Sequence, residues 1–220
     1  MKKTLKRLGN LITRRNTVKR GGKATVFILS YKANSKMAKE TEKEFKKKGY
    51  KTKIVYGYDI NSKEAKNKKV TPNTVVYSNF RDFIFPLAKK LNTHYFVAED
   101  DCKVYDKYTK NIDKYSEYDI VRVGYHKIQI ILGNINYITG AQLTFFNKNI
   151  NQRMEEILKP ENTKPLHFDR FLTNLQLNNT LNVLLPKKSR AGFKSHFSRI
   201  IADKRKSYSA SISSNVSKKS

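Results

Sequence analysis

Short apolar runs alternate with polar, helix-like segments from residue 24 onward. Residues 24–31 (ATVFILSY) are rich in β-forming residues and too short for a buried helix, so they predict a buried strand. Ser35 can cap a helix that runs to Lys48, with Gly49 just past its end. Residues 50–58 (YKTKIVYGY) then predict a second strand. Strand, helix and strand in this order predict a parallel βαβ unit.

The alternation continues to residue 186. A polar loop is expected at residues 59–74, followed by a helix at 79–91 that Pro86 must start late or kink. A third strand at residues 94–98 (HYFVA) runs straight into three acidic residues. The remaining predicted elements are a strand at 119–124, a β-rich stretch at 128–146, and helices at 150–158 and 168–177. We therefore predict a single α/β domain over residues 24–186 with a mostly parallel central sheet.

Both ends of the chain are strongly basic. Of the net charge of +28, residues 1–23 carry nine Lys or Arg and no acid, and residues 187–220 carry ten basic residues and one acid. Each end also predicts a basic amphipathic helix, and the second is followed by a Ser-rich tail. The apolar stripes of these two helices are Leu5, Leu8, Leu11 and Ile12, and Phe193, Phe197, Ile200 and Ile201.

Such charge attracts polyanions. We expect the two basic ends to bind nucleic acid or another polyanion, or else other protein chains. A lysine-rich composition also arises from an AT-rich genome without any ligand. The charge alone leaves these alternatives open.

The chain contains a single cysteine, Cys102, so no intramolecular disulfide can form. The basic start is not followed by the apolar stretch of a signal peptide, and no segment is long and apolar enough to span a membrane. These features predict an intracellular protein without a transmembrane segment.

Three consecutive acids, Glu99, Asp100 and Asp101, follow the third strand directly, and we call them the acidic triplet. Crowded carboxylates repel one another unless a cation compensates, and open α/β sheets bind ligands at the carboxyl ends of their strands. The triplet therefore indicates Mg²⁺ or Mn²⁺ bridging a diphosphate. A solvated turn neutralised by the surrounding lysines is the alternative.

Several landmarks occur in order along the predicted domain. They are VFILSYKAN, a second strand that ends in Tyr58 and Asp59, FVAEDDC, DIVRVG, YITGAQLTFFNKN before a helix, and HFDRFL. In order and spacing they resemble glycosyltransferase family 25, which includes lipooligosaccharide and collagen galactosyltransferases. The resemblance implies a GT-A fold that moves a hexose from a nucleotide diphosphate sugar, a UDP-sugar, to an acceptor hydroxyl with Mn²⁺ or Mg²⁺.

The resemblance also implies roles for particular residues near the donor. Asp101 is the first candidate for a metal ligand and Asp100 the second, and Glu99 is also expected at the metal. Asp100 would lie at the metal and the diphosphate, and Tyr31 and Asp59 would lie near the base and ribose of the nucleotide. Because the triplet opens with Glu99 rather than with an aspartate, it is not a strict Asp-x-Asp motif.

Asp169, in HFDRFL, matches the late aspartate of the family's pattern. It is expected to act as general base for the acceptor hydroxyl or to position the acceptor. The rival hypothesis is an inactive glycosyltransferase-like structural protein, such as a virion or capsid component or a nucleic-acid-associated protein, that docks through its basic ends. The extreme charge favours the rival, whereas the acidic triplet and Asp169 favour the enzyme.

Overall fold

The computed structural model describes residues 24–31, 35–104, 115–131, 134–186 and 191–193. The predictions for residues 1–23, 187–190 and 194–220 lie outside the described residues. The strands are β1 (Ala24–Ser30), β2 (Lys51–Tyr56), β3 (His94–Glu99), β4 (Cys102–Val104), β5 (Ile120–Gly124), β6 (Lys127–Ile131), β7 (Asn134–Thr139), β8 (Leu143–Phe146), β9 (Val183–Leu184) and β10 (Ala191–Phe193). The α-helices are α1 (Ser35–Lys47), α2 (Lys63–Asn67), α3 (Val75–Asn79), α4 (Phe85–Leu91), α5 (Asn151–Ile157) and α6 (Phe168–Leu177).

Six strands form one sheet in the order β2-β1-β3-β8-β5-β9. Strand β8 is antiparallel to both of its neighbours, whereas β1 pairs in parallel with β2 and β3, and β5 with β9. The predicted α/β fold with a mostly parallel sheet is therefore confirmed. Because β8 is reversed, its amino end meets the carboxyl ends of β1, β2, β3 and β5, and we call this side of the sheet the carboxyl edge.

Strand alternation divides the core into two layers. In β3, Tyr95 and Val97 pack with α3, α4 and α6, whereas Phe96 and Ala98 pack with α1. We call these two sides of the sheet the α6 face and the α1 face. All seven residues of β1 are buried, as expected for a strand covered on both sides.

The structure differs from the sequence prediction in the segment between β2 and β3. The expected polar loop at 59–74 contains the short helix α2, which Ser62 caps by accepting a hydrogen bond from the Ala65 amide at 3.1 Å. Helical structure then begins at Val75 rather than at residue 79 and passes through a π-helical turn, Phe80–Ile84, into α4. Pro86 stands in the first turn of α4 directly after the π-helical turn, so the residue without an amide hydrogen lies where the hydrogen-bond pattern of the helix changes.

Two further strand pairs flank the sheet. Strands β6 and β7 form an antiparallel hairpin, and β10 pairs antiparallel with β4. Phe193, predicted to lie on a basic helix, is instead the last residue of β10. The reason is the partner strand, since β4 offers a backbone ladder that the local helical pattern does not reveal.

Candidate functional site

The acidic triplet stands at the carboxyl edge. Glu99 is the last residue of β3, and Asp100 follows it and turns to the opposite face of the sheet. Asp100 turns to the α1 face, where its Oδ2 accepts a hydrogen bond from Ser30 Oγ at 2.8 Å. Its backbone carbonyl accepts a second bond from Thr41 Oγ1 of α1 at 2.6 Å. Asp100 is thus fixed against the end of β1, and Ser30 Oγ also contacts the carbonyl of Tyr31 at 3.2 Å.

Asp101 follows Asp100 and is buried, with 8% of its surface exposed. Ser30, which donates to Asp100, also contacts the carbonyl of Tyr31, so Asp100 lies beside the end of β1. Asp59 lies in the exposed turn after β2, and its Oδ1 accepts a bond from the Asn61 amide at 2.9 Å. The proposed roles of Asp101, Tyr31 and Asp59 at a metal and a nucleotide stay predictions.

Asp169 reaches the same edge from the first turn of α6. Its Oδ2 accepts a hydrogen bond from the Gly140 amide at 3.2 Å, and its Oδ1 accepts one from the Arg170 amide at 2.8 Å. Gly140 lies between β7 and β8 with a φ of 82°, a left-handed conformation that favours glycine. This turn therefore holds the Asp169 carboxylate beside the amino end of β8.

Glu99 turns to the α6 face, where Asp169 lies. Burial, as the largest cause, and the negative charges of Asp101, Asp100 and Asp169 together raise the pKa of its carboxyl to about 8. The four carboxyls are therefore close enough to interact, and we call them the carboxyl cluster. Raised carboxyl pKa values of this kind are typical of functional sites.

Replacing Glu99 by Gln is expected to stabilise the ligand-free protein at alkaline pH. Between its ordinary pKa near 4.5 and about 8, Glu99 keeps a proton in the folded state that the unfolded chain releases. Stability of the wild type therefore falls as pH rises through this window. The gain from the substitution should be about 2–4 kcal/mol at pH 9 and vanish near pH 4.

Urea unfolding at both pH values, without divalent cations, measures this difference. The control is Glu155→Gln, because Glu155 is exposed on α5 and pairs with Lys89 far from the carboxyl cluster. A Glu99→Gln effect that is the same at pH 4 and pH 9 would contradict the interpretation.

Sequence reasoning missed Arg122, which is fully buried in the middle of β5. Its Nη1 donates to Thr173 Oγ1 at 2.9 Å and to the Asp169 carbonyl at 3.5 Å. Its Nη2 donates to the carbonyls of Gly140 at 3.0 Å and Ile138 at 3.3 Å. Arg122 thus fastens α6 to the turn before β8, and the signal that could have found it is a lone charged residue within the apolar strand IVRVG.

Three further features of the described residues concern metal binding, membrane spans and grooves. Within them, no three His, Cys, Asp or Glu side chains form a preorganised metal site. In the same part of the chain, no helix is both long and apolar enough to cross a lipid bilayer. A groove of about 520 Å³ runs along α6 beside the loop that follows α5, and its lining contains none of the carboxyl cluster.

The sequence matches no protein-family model and no curated protein. Among solved structures, the chain is similar to a glycosyltransferase involved in the glycosylation of the major capsid of PBCV-1, with 10% identity, a TM-score of 0.51, and 75% of this chain and 82% of that chain covered. HddC from Yersinia pseudotuberculosis aligns at 13% identity over 76% of this chain and 71% of that chain, with a TM-score of 0.41.

A nucleoside-diphosphate-sugar pyrophosphorylase from Vibrio cholerae RC9 aligns at 12% identity over 77% of this chain and 75% of that chain, with a TM-score of 0.38. The first of the three similarities indicates the fold. The chain therefore has a GT-A-like glycosyltransferase fold, while the specific resemblance to family 25 stays a prediction.

Proposed function

We propose that this chain is a metal-dependent glycosyltransferase that moves a hexose from a UDP-sugar to a hydroxyl group of an acceptor. The observation that carries the proposal is the carboxyl cluster, which gathers at the edge where a sheet of this kind binds its ligands. The GT-A-like fold supports it, because the same edge is where the strand ends, the turn before β8 and the start of α6 meet.

The donor set suits a hard divalent cation. Carboxylate oxygens are the ligands that Mg²⁺ and Mn²⁺ prefer. The pKa of Glu99 is raised first by burial and then by the neighbouring carboxylates, and a divalent cation would offset both effects. Asp101 and Glu99 would hold the ion, which when bound would offset negative charge on the leaving diphosphate. Asp100, held by Ser30, would lie beside the nucleotide together with Tyr31 and Asp59.

Asp169 is proposed to activate the acceptor. Both of its carboxylate oxygens accept backbone hydrogen bonds, which fix the direction of the group. It would take the proton of the acceptor hydroxyl while the hydroxyl oxygen forms a bond to the anomeric carbon and the bond to the diphosphate breaks.

Isothermal titration calorimetry with UDP and Mn²⁺ tests the proposal, because an inactive structural relative has no reason to bind a nucleotide with a metal. The wild type should bind UDP in the presence of Mn²⁺ and lose that binding in EDTA. Asp101→Asn should weaken UDP binding by about tenfold or more, since it removes a charged ligand of the ion.

The matched control is Asp119→Asn, because Asp119 binds Arg153 and the Asn182 amide outside the carboxyl cluster. Its UDP affinity should equal that of the wild type. If the wild type does not bind UDP with Mn²⁺ at all, the proposed function is wrong, and the alternative of an inactive structural protein is favoured.

A further inference from the structure

The side-chain amide of Gln142 is buried and has no role in the carboxyl cluster. It precedes β8, and only 1% of its surface is exposed. Neither its Nε2 nor its Oε1 has a hydrogen-bond partner among the described residues. Because buried polar groups in folded proteins are almost always paired, an amide with both ends unpaired points to a partner that arrives with a ligand.

The position of Gln142 directs this amide toward the carboxyl cluster. Ala98 pairs with Leu143, so Gln142 stands opposite Glu99, and its carbonyl accepts the Glu99 amide at 3.1 Å. Residues directly opposite in an antiparallel pair carry their side chains on the same face, a few ångströms apart. Gln142 therefore lies beside Glu99 on the α6 face, at the carboxyl edge.

A second contact fixes where the amide lies. A Cβ atom added to Gly140 would approach Gln142 Nε2 to 2.5 Å and Oε1 to 3.0 Å. The amide of Gly140 is the group that binds Asp169 Oδ2. The Gln142 amide is thus packed against the turn that holds the proposed base, and Gly140, Glu99 and Asp169 are all partly exposed beside it.

We propose that Gln142 is a specificity-determining residue that hydrogen-bonds the hydroxyl groups of the sugar being transferred. This inference rests on the proposed function. A carboxamide donates hydrogen bonds through its NH₂ group and accepts them through its oxygen. One such side chain can therefore donate to one sugar hydroxyl and accept from its neighbour. A pair of sugar hydroxyls that reaches this amide at the carboxyl edge would give both unpaired atoms a partner.

The negative charge beside the Gln142 amide restricts the class of sugar that can bind there. The Asp169 carboxylate binds the Gly140 amide beside the Gln142 side chain, so a carboxylate on the sugar would meet a like charge in a partly buried site. The site therefore takes a neutral hexose and discriminates against a uronic acid.

The test compares the affinities of UDP, UDP-glucose, UDP-galactose and UDP-glucuronate by calorimetry with Mn²⁺. In Gln142→Met, which keeps the length of the side chain and removes its hydrogen bonds, the better neutral UDP-hexose should bind about tenfold more weakly, while UDP itself binds as before. UDP-glucuronate should bind the wild type at least about tenfold more weakly than that hexose.

If Gln142 instead stabilised the fold, its replacement by Met would lower the melting temperature. Because its amide is unpaired, Gln142→Met should leave the melting temperature unchanged or raise it. Thr144→Val is the matched control, since Thr144 Oγ1 is also buried and unpaired but lies deeper in β8. This variant should keep the wild-type affinity for UDP-hexose.

If Gln142→Met does not fold, the wild type still decides the question. At least one deoxy analogue of the better UDP-hexose should then lose about tenfold in affinity. If UDP binds, an unchanged affinity of folded Gln142→Met for the UDP-hexose would overturn this inference alone. Where that variant does not fold, the absence of any deoxy effect would overturn it. Failure of UDP to bind would overturn the proposed function and this inference with it.

Discussion

Replacing Asp169 by Asn is expected to slow sugar transfer by about 10²–10⁴-fold, the usual contribution of a general base. The carboxamide has nearly the same shape but cannot take the proton of the acceptor hydroxyl. UDP and Mn²⁺ should still bind with wild-type affinity, because Asp169 enters from α6 and not from the acidic triplet. The release of UDP from a UDP-hexose, with water as acceptor, measures the rate.

The control for this variant is Glu155→Gln, which makes the same kind of change at an exposed ion pair with Lys89. Its rate should equal that of the wild type. An Asp169→Asn protein that turns over normally would show that Asp169 is not the base. Loss of both turnover and UDP binding would instead assign Asp169 to the donor site.

Replacing Arg122 by Met is expected to lower the free energy of unfolding by about 3–5 kcal/mol, the cost of breaking a buried charged network. The substitution leaves the carbonyls of Gly140 and Ile138 and the hydroxyl of Thr173 without the donor they have now. It should also loosen the turn that holds Asp169. Urea unfolding followed by circular dichroism measures the loss of stability.

Arg153→Met is the matched control because it removes an arginine from the surface. The Arg153 side chain is 55% exposed and pairs with Asp119 at 3.2 Å, so its loss should cost at most about 1 kcal/mol. If the two variants are equally stable, the buried hydrogen bonds of Arg122 do not contribute as the structure indicates.

The sequence predicted those parts of the molecule that depend on local pattern. The apolar run of β3 ends where the acids begin, so the acidic triplet was expected at a strand end, and Glu99 is the last residue of that strand. Likewise, the spacing in HFDRFL placed Asp169 in the first turn of an amphipathic helix. These predictions succeed because the order of apolar and polar residues along the chain indicates which positions of a strand or helix are buried.

The parts that the sequence did not predict depend on residues distant along the chain. No residue close to Arg122 in the sequence indicates that its guanidinium donates hydrogen bonds to Gly140 and Thr173. The hydrogen bond from Ser30 to Asp100 joins residues 70 positions apart, and only the sheet order brings them together. Helix α2 was missed because a five-residue helix lacks the length for a periodic pattern.

The pairing of β10 with β4 has a consequence for the order in which the protein is made. Strand β4 leaves the ribosome directly after the acidic triplet, but its partner, Ala191–Phe193, emerges almost ninety residues later. Strands β1, β2 and β3 can assemble with α1 well before that, because a chain folds from its amino end during synthesis. The segment that follows Asp101 must therefore wait unpaired, and we expect the acidic edge to take its final form only late in translation.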